Sequence, residues 1–79
     1  MNPNKLRWLC RRGVRELDVL FTEFLDTQYA DLDLPLQAAF QHLLQQQDPQ
    51  ITDWLFDRSK PEDLKLQQII SRLQQQSGL

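Results

Sequence analysis

Apolar residues recur at helical spacing along almost the whole chain, and this pattern restricts the fold more than any other feature. They fall at positions i, i+3 and i+4 in five separate segments, as expected for helices with one buried face. No stretch alternates polar and apolar residues for long enough to form a strand. The four prolines stand near expected helix starts, where their missing N–H group is tolerated. The sequence therefore predicts an all-α protein, a compact five-helix bundle.

The limits of these helices follow from the apolar stripes and from residues that start or stop a helix. Helices are expected over about residues 4–12, 15–30 and 33–46, a fourth from Asp48, and a fifth from Pro61 to about residue 73. Gly13 is expected to end the first helix, because glycine adopts positive φ without a steric clash. The residues expected in the core are Leu6, Leu9, Cys10, Leu17, Leu20, Phe21, Phe24, Leu25, Leu36, Ala39, Phe40, Leu43, Leu44, Ile51, Trp54, Leu55, Leu66, Ile69, Ile70 and Leu73.

The length of the chain allows one small domain. A chain of 79 residues buries only about 60% of the surface that its unfolded form exposes. We expect a single helical domain over residues 1–79, with an ordered core over about 5–73 and a frayed tail over 74–79. Most of the twelve glutamines fall on polar faces or helix ends, and we interpret them as solvent-facing helix formers.

Composition argues against several classes of protein. A net charge of −2 does not suit a chain that coats nucleic acid or anionic lipid. The single cysteine, Cys10, allows no internal disulfide and no multi-cysteine zinc site. No apolar run approaches the roughly 20 residues of a membrane span, and the first residues fit no signal or transit peptide. We therefore expect a cytoplasmic monomer with no nucleic-acid partner and no direct membrane insertion.

The charge is distributed unevenly along the chain. Residues 1–16 carry five basic side chains against Glu16, a net +4, whereas the other 63 residues carry four bases against ten acids, a net −6. The basic residues of this first part are Lys5, Arg7, Arg11, Arg12 and Arg15. Such a basic end can steer binding to an acidic surface, although a basic helix that is merely solvated fits the pattern equally well.

Catalytic chemistry has little support in the sequence. The one histidine, His42, lies off the apolar stripe of its helix and is expected to be exposed, away from any partner that would make it a general base. Cys10 shares a stripe with Leu6 and Leu9, so we interpret it as a small buried apolar residue. Gly13 stands alone and forms no phosphate-binding loop. We expect a non-enzymatic protein with no metal site and no stably bound cofactor.

The segment from Arg11 to Asp18 stands out, and the residues alone leave two interpretations open. It is either a simple bend between two helices or a binding surface. At an exposed corner, Gly13 would let a partner's backbone approach closely, and arginines would offer bidentate donors to carboxylates. Glu16 would hold an arginine in place or meet a basic group of the partner.

The run from Trp8 to Asp18 closely resembles the signature of the succinate dehydrogenase flavinylation factor family. The hallmark Arg-Gly-x-x-Glu stands here as Arg12, Gly13 and Glu16. Two further features match: an aromatic-rich second helix over residues 20–29, and an Asp-Pro pair at 48–49 followed by a Trp-Leu pair at 54–55. The resemblance spans about residues 5–73.

This resemblance implies a five-helix fold and a non-enzymatic role. The protein would bind the flavoprotein subunit of succinate dehydrogenase, and that of the related fumarate reductase, and promote covalent attachment of FAD to it. The bond-forming histidine would belong to that client. The client-binding residues that the resemblance implies are Arg12, Gly13 and Glu16 at the centre, with Arg11, Trp8 and Asp18 around them.

The chain departs from the family pattern at two places. Gln47 and Gln50 flank Asp48 where an acidic cluster is common, and Lys5 stands where an arginine is frequent. An antitoxin-like protein or adaptor that binds an unrelated partner through the same surface is the alternative. A helix-turn-helix around Gly13 that binds nucleic acid is disfavoured, because the following helix would present acidic side chains to phosphates.

Overall fold

Five α-helices make up most of the molecule. A computed structural model describes residues 2–78. The helices over these residues are α1 (Pro3–Leu9), α2 (Arg15–Thr27), α3 (Leu34–Leu44), α4 (Asp48–Leu55) and α5 (Leu64–Ser77), with a short 3-10 helix (Tyr29–Asp31) between α2 and α3. The prediction of an all-α bundle of five helices is confirmed. Met1 and Leu79, the two ends of the expected domain, lie outside the described residues.

Side-chain caps determine where three of the helices begin. Asn2 accepts a hydrogen bond from the amide of Asn4 at 2.7 Å, and Asp33 accepts one from Leu36 at 3.0 Å. Asp63 accepts from the amides of Lys65 and Leu66, so that α5 begins at Leu64. A cap of this kind satisfies N–H groups that have no partner within the helix.

The start of the fifth helix was placed incorrectly, whereas that of the fourth was not. The fifth helix begins three residues after Pro61, because Asp63 and not Pro61 initiates it, and Pro61 is buried in the preceding loop. The fourth helix begins at Asp48, as expected, with Gln47 as its N-cap residue. The carboxylate of Asp48 is therefore free to face another part of the chain.

The core forms where α3 packs against α5, with α2 and α4 on the flanks of α5. Phe40 of α3 lies at the centre of an aromatic cluster and is fully buried. Its ring centroid is 4.9 Å from that of Phe24, 5.5 Å from that of Tyr29 and 6.2 Å from that of Phe21. Offset and edge-on rings at such distances attract each other beyond the effect of area buried. This cluster joins the middle of the chain to α2.

Several glutamines connect different helices, which corrects the expectation that they only face solvent. The side-chain amide of Gln76 donates to the carbonyl oxygen of Leu20, and that of Gln74 donates to the carbonyl of Leu55. Gln67 donates in the same way to Pro61. Leu55 is the last residue of α4 and Pro61 lies in a loop, so two of these bonds satisfy carbonyls without a regular helical partner. α5 itself continues through Ser77, into the segment 74–79.

The first helix ends earlier than predicted. It stops at Leu9, and the amide of Cys10 bonds to the carbonyls of Leu6 and Arg7. The expectation that Gly13 ends this helix with positive φ is wrong, since Gly78 is the only glycine among residues 2–78 with a positive φ. Gly13 lies in a separate linker between α1 and α2.

Candidate functional site

The connection between α1 and α2 alternates inward and outward side chains. We use "the corner" for residues 10–16, which comprise this linker and the first residues of α2. Cys10 is fully buried and the side chain of Arg12 is mostly buried, whereas Arg11 and Gly13 are exposed. Every residue from Gly13 to Glu16 is exposed, and burial resumes at Leu17. Two inward side chains thus anchor a stretch that otherwise faces solvent.

Arg12 turns into the protein and contacts three other elements. Its Nη2 donates to the carbonyl oxygen of Leu44, and its Nη1 donates to that of Gln46 at 3.4 Å. The same Nη1 lies 3.6 Å from Oδ1 of Asp48. On another side, the guanidinium carbon is 5.4 Å from the ring centroid of Phe21. The side chain of Arg12 is only 13% exposed, and both of its Nη groups have internal partners.

The charge of Arg12 suits the end of α3. Backbone carbonyls at a helix C-terminus lack partners within the helix and carry partial negative charge. Arg12 supplies donors to the last residue of α3, Leu44, and to Gln46 just beyond it. A guanidinium presents several donors in a planar fork, so one side chain can serve both carbonyls and still face Asp48. Arg12 therefore joins the corner to the connection between α3 and α4.

Cys10 anchors the other end of the linker. Burial raises the pKa of its thiol to about 11, and the nearby charges of Arg12 and Arg7 oppose this increase only in part. A thiol with so high a pKa stays protonated and is a weak nucleophile at neutral pH. The interpretation of Cys10 as a small buried residue is confirmed by its position in the core.

Gly13 is exposed and has no structural reason to be a glycine. Its φ is not positive, and a Cβ atom built at this position would meet no other atom within 4 Å. The fold of this chain therefore has room for a side chain at residue 13. A requirement for glycine there would have to come from something that approaches the corner from outside.

Glu16, Arg11 and Trp8 all face solvent. Trp8, in the last turn of α1, is 69% exposed. Its backbone carbonyl accepts a hydrogen bond from the amide of Arg11 at 3.1 Å, which places the two residues side by side at the end of the helix. The carboxylate of Glu16 makes no ion pair or hydrogen bond with any group of residues 2–78. Asp48, and not Glu16, is the acidic residue that contacts the inward arginine.

Asp18 lies slightly apart from these residues. It is half-buried in α2, and its carboxylate accepts a hydrogen bond from the hydroxyl of Thr22 one turn later at 3.4 Å. Of the six expected client-binding residues, the structure exposes four at or beside the corner, while Arg12 turns inward and Asp18 is partly covered. The four exposed residues are Trp8, Arg11, Gly13 and Glu16.

Ion pairs with acidic residues neutralise part of the positive charge of the basic N-terminal end. Arg7 donates to Asp26 at 2.7 Å, and this bond raises the pKa of Arg7. Arg12 faces Asp48 as described. Within the described residues, the cations of this end that make no ion pair are Lys5, Arg11 and Arg15. The positive charge available to a partner is therefore concentrated at the corner and at the start of α1.

A shallow groove beside the corner was not predicted from the sequence. It has a volume of about 430 Å³ and lies between α2 and the end of α5. Its lining includes Arg15, Glu16 and Val19 from α2 and Gln76 from α5. Val19 is 56% exposed although apolar, and its position off the apolar stripe of α2 was the one sequence signal that pointed to this surface.

The remaining chemistry of the surface is sparse. Over residues 2–78, no three of the histidine, cysteine, aspartate and glutamate side chains come together as metal ligands would. His42 is exposed on α3, as expected. None of the helices in the described part combines the length and apolar character needed to cross a bilayer.

Comparison with known proteins decides the family. The model of the family described as flavinator of succinate dehydrogenase matches residues 4–77. The chain belongs to this family. The resemblance carried by Arg12, Gly13 and Glu16 and by their flanking residues is thereby confirmed.

Curated relatives of this flavinator family are similar over most of their length. The FAD assembly factor SdhE of Pectobacterium atrosepticum is 38% identical over 73 residues, which cover 92% of this chain and 83% of the relative. The FAD assembly factor SdhE of Coxiella burnetii is 40% identical over 74 residues, or 94% and 90% of the two chains. That of Idiomarina loihiensis is 42% identical over 69 residues, or 87% and 77%.

Proposed function

We propose that this protein is an FAD assembly factor: it binds the flavoprotein subunit of succinate dehydrogenase and promotes covalent attachment of FAD to it. Membership of the flavinator family and the named relatives support this function. The observation that carries the proposed contact is Gly13, which is exposed and unrestrained by its own fold. The client would contact the corner around this residue.

The exposed side chains next to Gly13 suit a partner with mixed charge. Arg11 and Arg15 offer donors to carboxylates, and Glu16 offers an acceptor to a basic or amide group. Because these groups are solvated at the rim, their main effect is on the association rate and on specificity. Trp8 adds a large apolar surface, 69% exposed, of the kind that contributes strongly when it is buried in an interface. Asp18 would lie at the edge of this contact.

The protein acts on the client's conformation and supplies no catalytic group in this proposal. The histidine that bonds to the flavin belongs to the client, and the factor binds the client conformation in which this bond forms. A factor can shift an equilibrium only by its differential affinity for the two conformations, and a shift from 1:99 to 99:1 needs about 10⁴-fold. The same mechanism extends to the flavoprotein subunit of fumarate reductase. The factor would work as a cytoplasmic monomer with no stably bound cofactor.

An in vitro flavinylation assay tests the proposal. The apo flavoprotein subunit is incubated with FAD and this protein, and covalent flavin is measured by fluorescence of the denatured subunit in a gel. We expect Gly13→Arg and Glu16→Ala to slow flavinylation at least tenfold. The matched controls are Ser59→Arg and Glu62→Ala, which make the same kinds of change at exposed positions of the loop between α4 and α5. Wild-type rates for both corner variants would refute the proposed contact.

Gly13→Ala separates an effect on binding from an effect on folding. Replacing a glycine whose backbone conformation suits alanine raises the free energy of unfolding by about 0.4–1 kcal/mol. We therefore expect Gly13→Ala to be at least as stable as the wild type by urea unfolding while it binds the client less tightly. If the wild-type protein itself leaves flavinylation unchanged, the adaptor interpretation is favoured.

A further inference from the structure

We infer that Asp48 is a positioning residue for this activity: through Arg12 it fixes the exposed face of the corner that the client contacts, an inference that rests on the proposed function. Asp48 lies far from the corner in sequence, at the first residue of α4. Its Oδ1 is nevertheless 3.6 Å from Nη1 of Arg12. In this arrangement, the Arg-Gly-x-x-Glu motif divides into an internal anchor, Arg12, and an outward contact, Glu16.

Arg12 is the one inward side chain between Cys10 and Leu17. Between the buried residues Cys10 and Leu17, all residues except Arg12 are exposed. The backbone of Arg11 to Arg15 therefore has no second inward side chain that would fix its course. If the guanidinium leaves its place, packing no longer determines the conformation of the linker at Gly13 or its placement relative to Glu16 at the start of α2.

Asp48 is the counter-ion that keeps the guanidinium in place. Within residues 2–78, it is the only acidic side chain that forms an ion pair with Arg12. The side chains of Arg12 and Asp48 are 13% and 21% exposed, so water screens this pair less than it screens a surface pair. A cation that loses its counter-ion at a poorly solvated position regains hydration by turning outward.

The two carbonyl bonds alone do not replace this counter-ion. The carbonyls of Leu44 and Gln46 are neutral acceptors, and Nε of Arg12 is buried without a hydrogen-bond partner among the described residues. Oδ1 of Asp48 is likewise buried and accepts no hydrogen bond there, so its contact with Arg12 is an ionic one. Removal of the charge of Asp48 therefore acts chiefly on Arg12.

The alternative is that Arg12 turns outward and contacts the client directly. In that case Asp48 would compete with the client for Arg12, and removal of its charge would leave the affinity unchanged or increase it. If Asp48 positions Arg12, the same change weakens binding. The sign of the effect therefore distinguishes the two arrangements.

A double-mutant cycle tests the inference, with binding to the apo flavoprotein subunit measured by calorimetry. We expect Asp48→Asn and Arg12→Met each to weaken binding about tenfold and the double variant to bind no more weakly than Arg12→Met, because coupled residues are not additive. Asp48→Glu, which keeps the charge, should recover most of the affinity. The matched control is Asp53→Asn. Asp53 lies in α4, as Asp48 does, but its carboxylate forms an exposed ion pair with Arg58.

Amide spectra of the free protein give a readout that does not depend on the client. We expect Asp48→Asn to shift the ¹H–¹⁵N signals of Gly13 and Glu16, and Asp53→Asn to leave them in place. Unchanged signals together with wild-type affinity for Asp48→Asn overturn the inference, even where the wild type flavinylates normally and the proposed function stands. If the wild type does not bind the client, the proposed function falls, and the inference falls with it. Should Asp48→Asn fail to fold, Arg12→Met takes its place, and unmoved signals with wild-type affinity for that variant have the same meaning.

Discussion

Arg7 of α1 donates to Oδ1 of Asp26 near the end of α2 at 2.7 Å, and both side chains are about half exposed. This bond is the one ion pair between α1 and α2 within the described residues. The ion pair joins α1 to the C-terminal end of α2, whereas the corner joins α1 to the N-terminal end of α2. Both connections therefore hold α1 against α2.

Arg7→Gln should destabilise the protein slightly at low salt, because an exposed ion pair contributes little and is screened. The difference from the wild type in urea unfolding should disappear at 1 M NaCl, where the Debye length is about 3 Å. A double-mutant cycle with Asp26→Asn isolates the pair. If Arg7→Gln still lowers the free energy of unfolding at high salt, Arg7 stabilises α1 by packing and not by its charge.

Phe40→Ala should remove a large part of the stability. Phe40 is fully buried and its ring contacts three other aromatic rings. Truncation of a buried phenylalanine costs about 3–5 kcal/mol, which is much of the total for a domain this small. The matched control is Phe56→Ala, since Phe56 is 54% exposed and should change the free energy of unfolding by less than about 1 kcal/mol. Equal losses in urea unfolding for the two variants would contradict the central place of Phe40.

Asp57→Gly should raise the free energy of unfolding. Asp57 has φ of 58°, in the left-handed region, just past the end of α4. The amides of Asp57 and Arg58 bond back to the carbonyls of Trp54 and Asp53, as in a Schellman motif. Glycine takes this conformation without strain, so we expect a gain of about 0.5–1 kcal/mol.

The control for that gain is Ser59→Gly in the same loop, at a residue without positive φ. It should lower stability, because glycine adds freedom to the unfolded chain without relief of strain. A gain for both variants, or for neither, would show that backbone strain at Asp57 is not the cause.

Cys10 should make stability depend on pH between 9 and 11. Burial raises the pKa of its thiol from 9.0 to about 11 in the folded protein. Below pH 9 the thiol is protonated in both states, and its contribution is fully present. As the pH rises from 9 to 11, the unfolded thiol loses its proton before the folded one does, so the free energy of unfolding falls by about 2 kcal/mol over this range.

Urea unfolding of the wild type and of Cys10→Ala at pH 8, 10 and 11 measures this contribution. The two proteins share every other ionisable group, so the difference between their two curves isolates Cys10. Between pH 8 and 11, the free energy of unfolding of Cys10→Ala should fall less with pH than that of the wild type. Parallel curves would show that the thiol ionises as readily in the folded protein as in the unfolded chain.

The helices and the core could be predicted from sequence because they depend on spacing along the chain. Apolar residues at helical intervals identified the buried faces, and Asp33 and Asn2 cap helices whose starts were placed to within a residue or two. The pattern failed at Leu32, which is buried in the connection before α3, where no helical period applies. It also extended α1 and α2 by about three residues each, because helix ends are set by local hydrogen bonds.

The corner could be predicted only in part. The exposure of Trp8, Arg11 and Glu16 followed from their places outside the apolar stripes. The inward course of Arg12 did not, because its acceptors are mainly backbone carbonyls of Leu44 and Gln46, and a carbonyl group is the same whatever residue bears it. Asp48 carried no signal that related it to Arg12, since their contact depends on how α3 and α4 are joined in space.

The open space around Gly13 has a genetic consequence. A larger residue there does not disturb this chain, so no second change within the chain can repair the defect by relieving a clash. Suppressors of Gly13→Arg that restore flavinylation should therefore map to the client's gene, at residues that make room for the new side chain. The sequence of such suppressors would outline, on the client, the footprint that the corner covers.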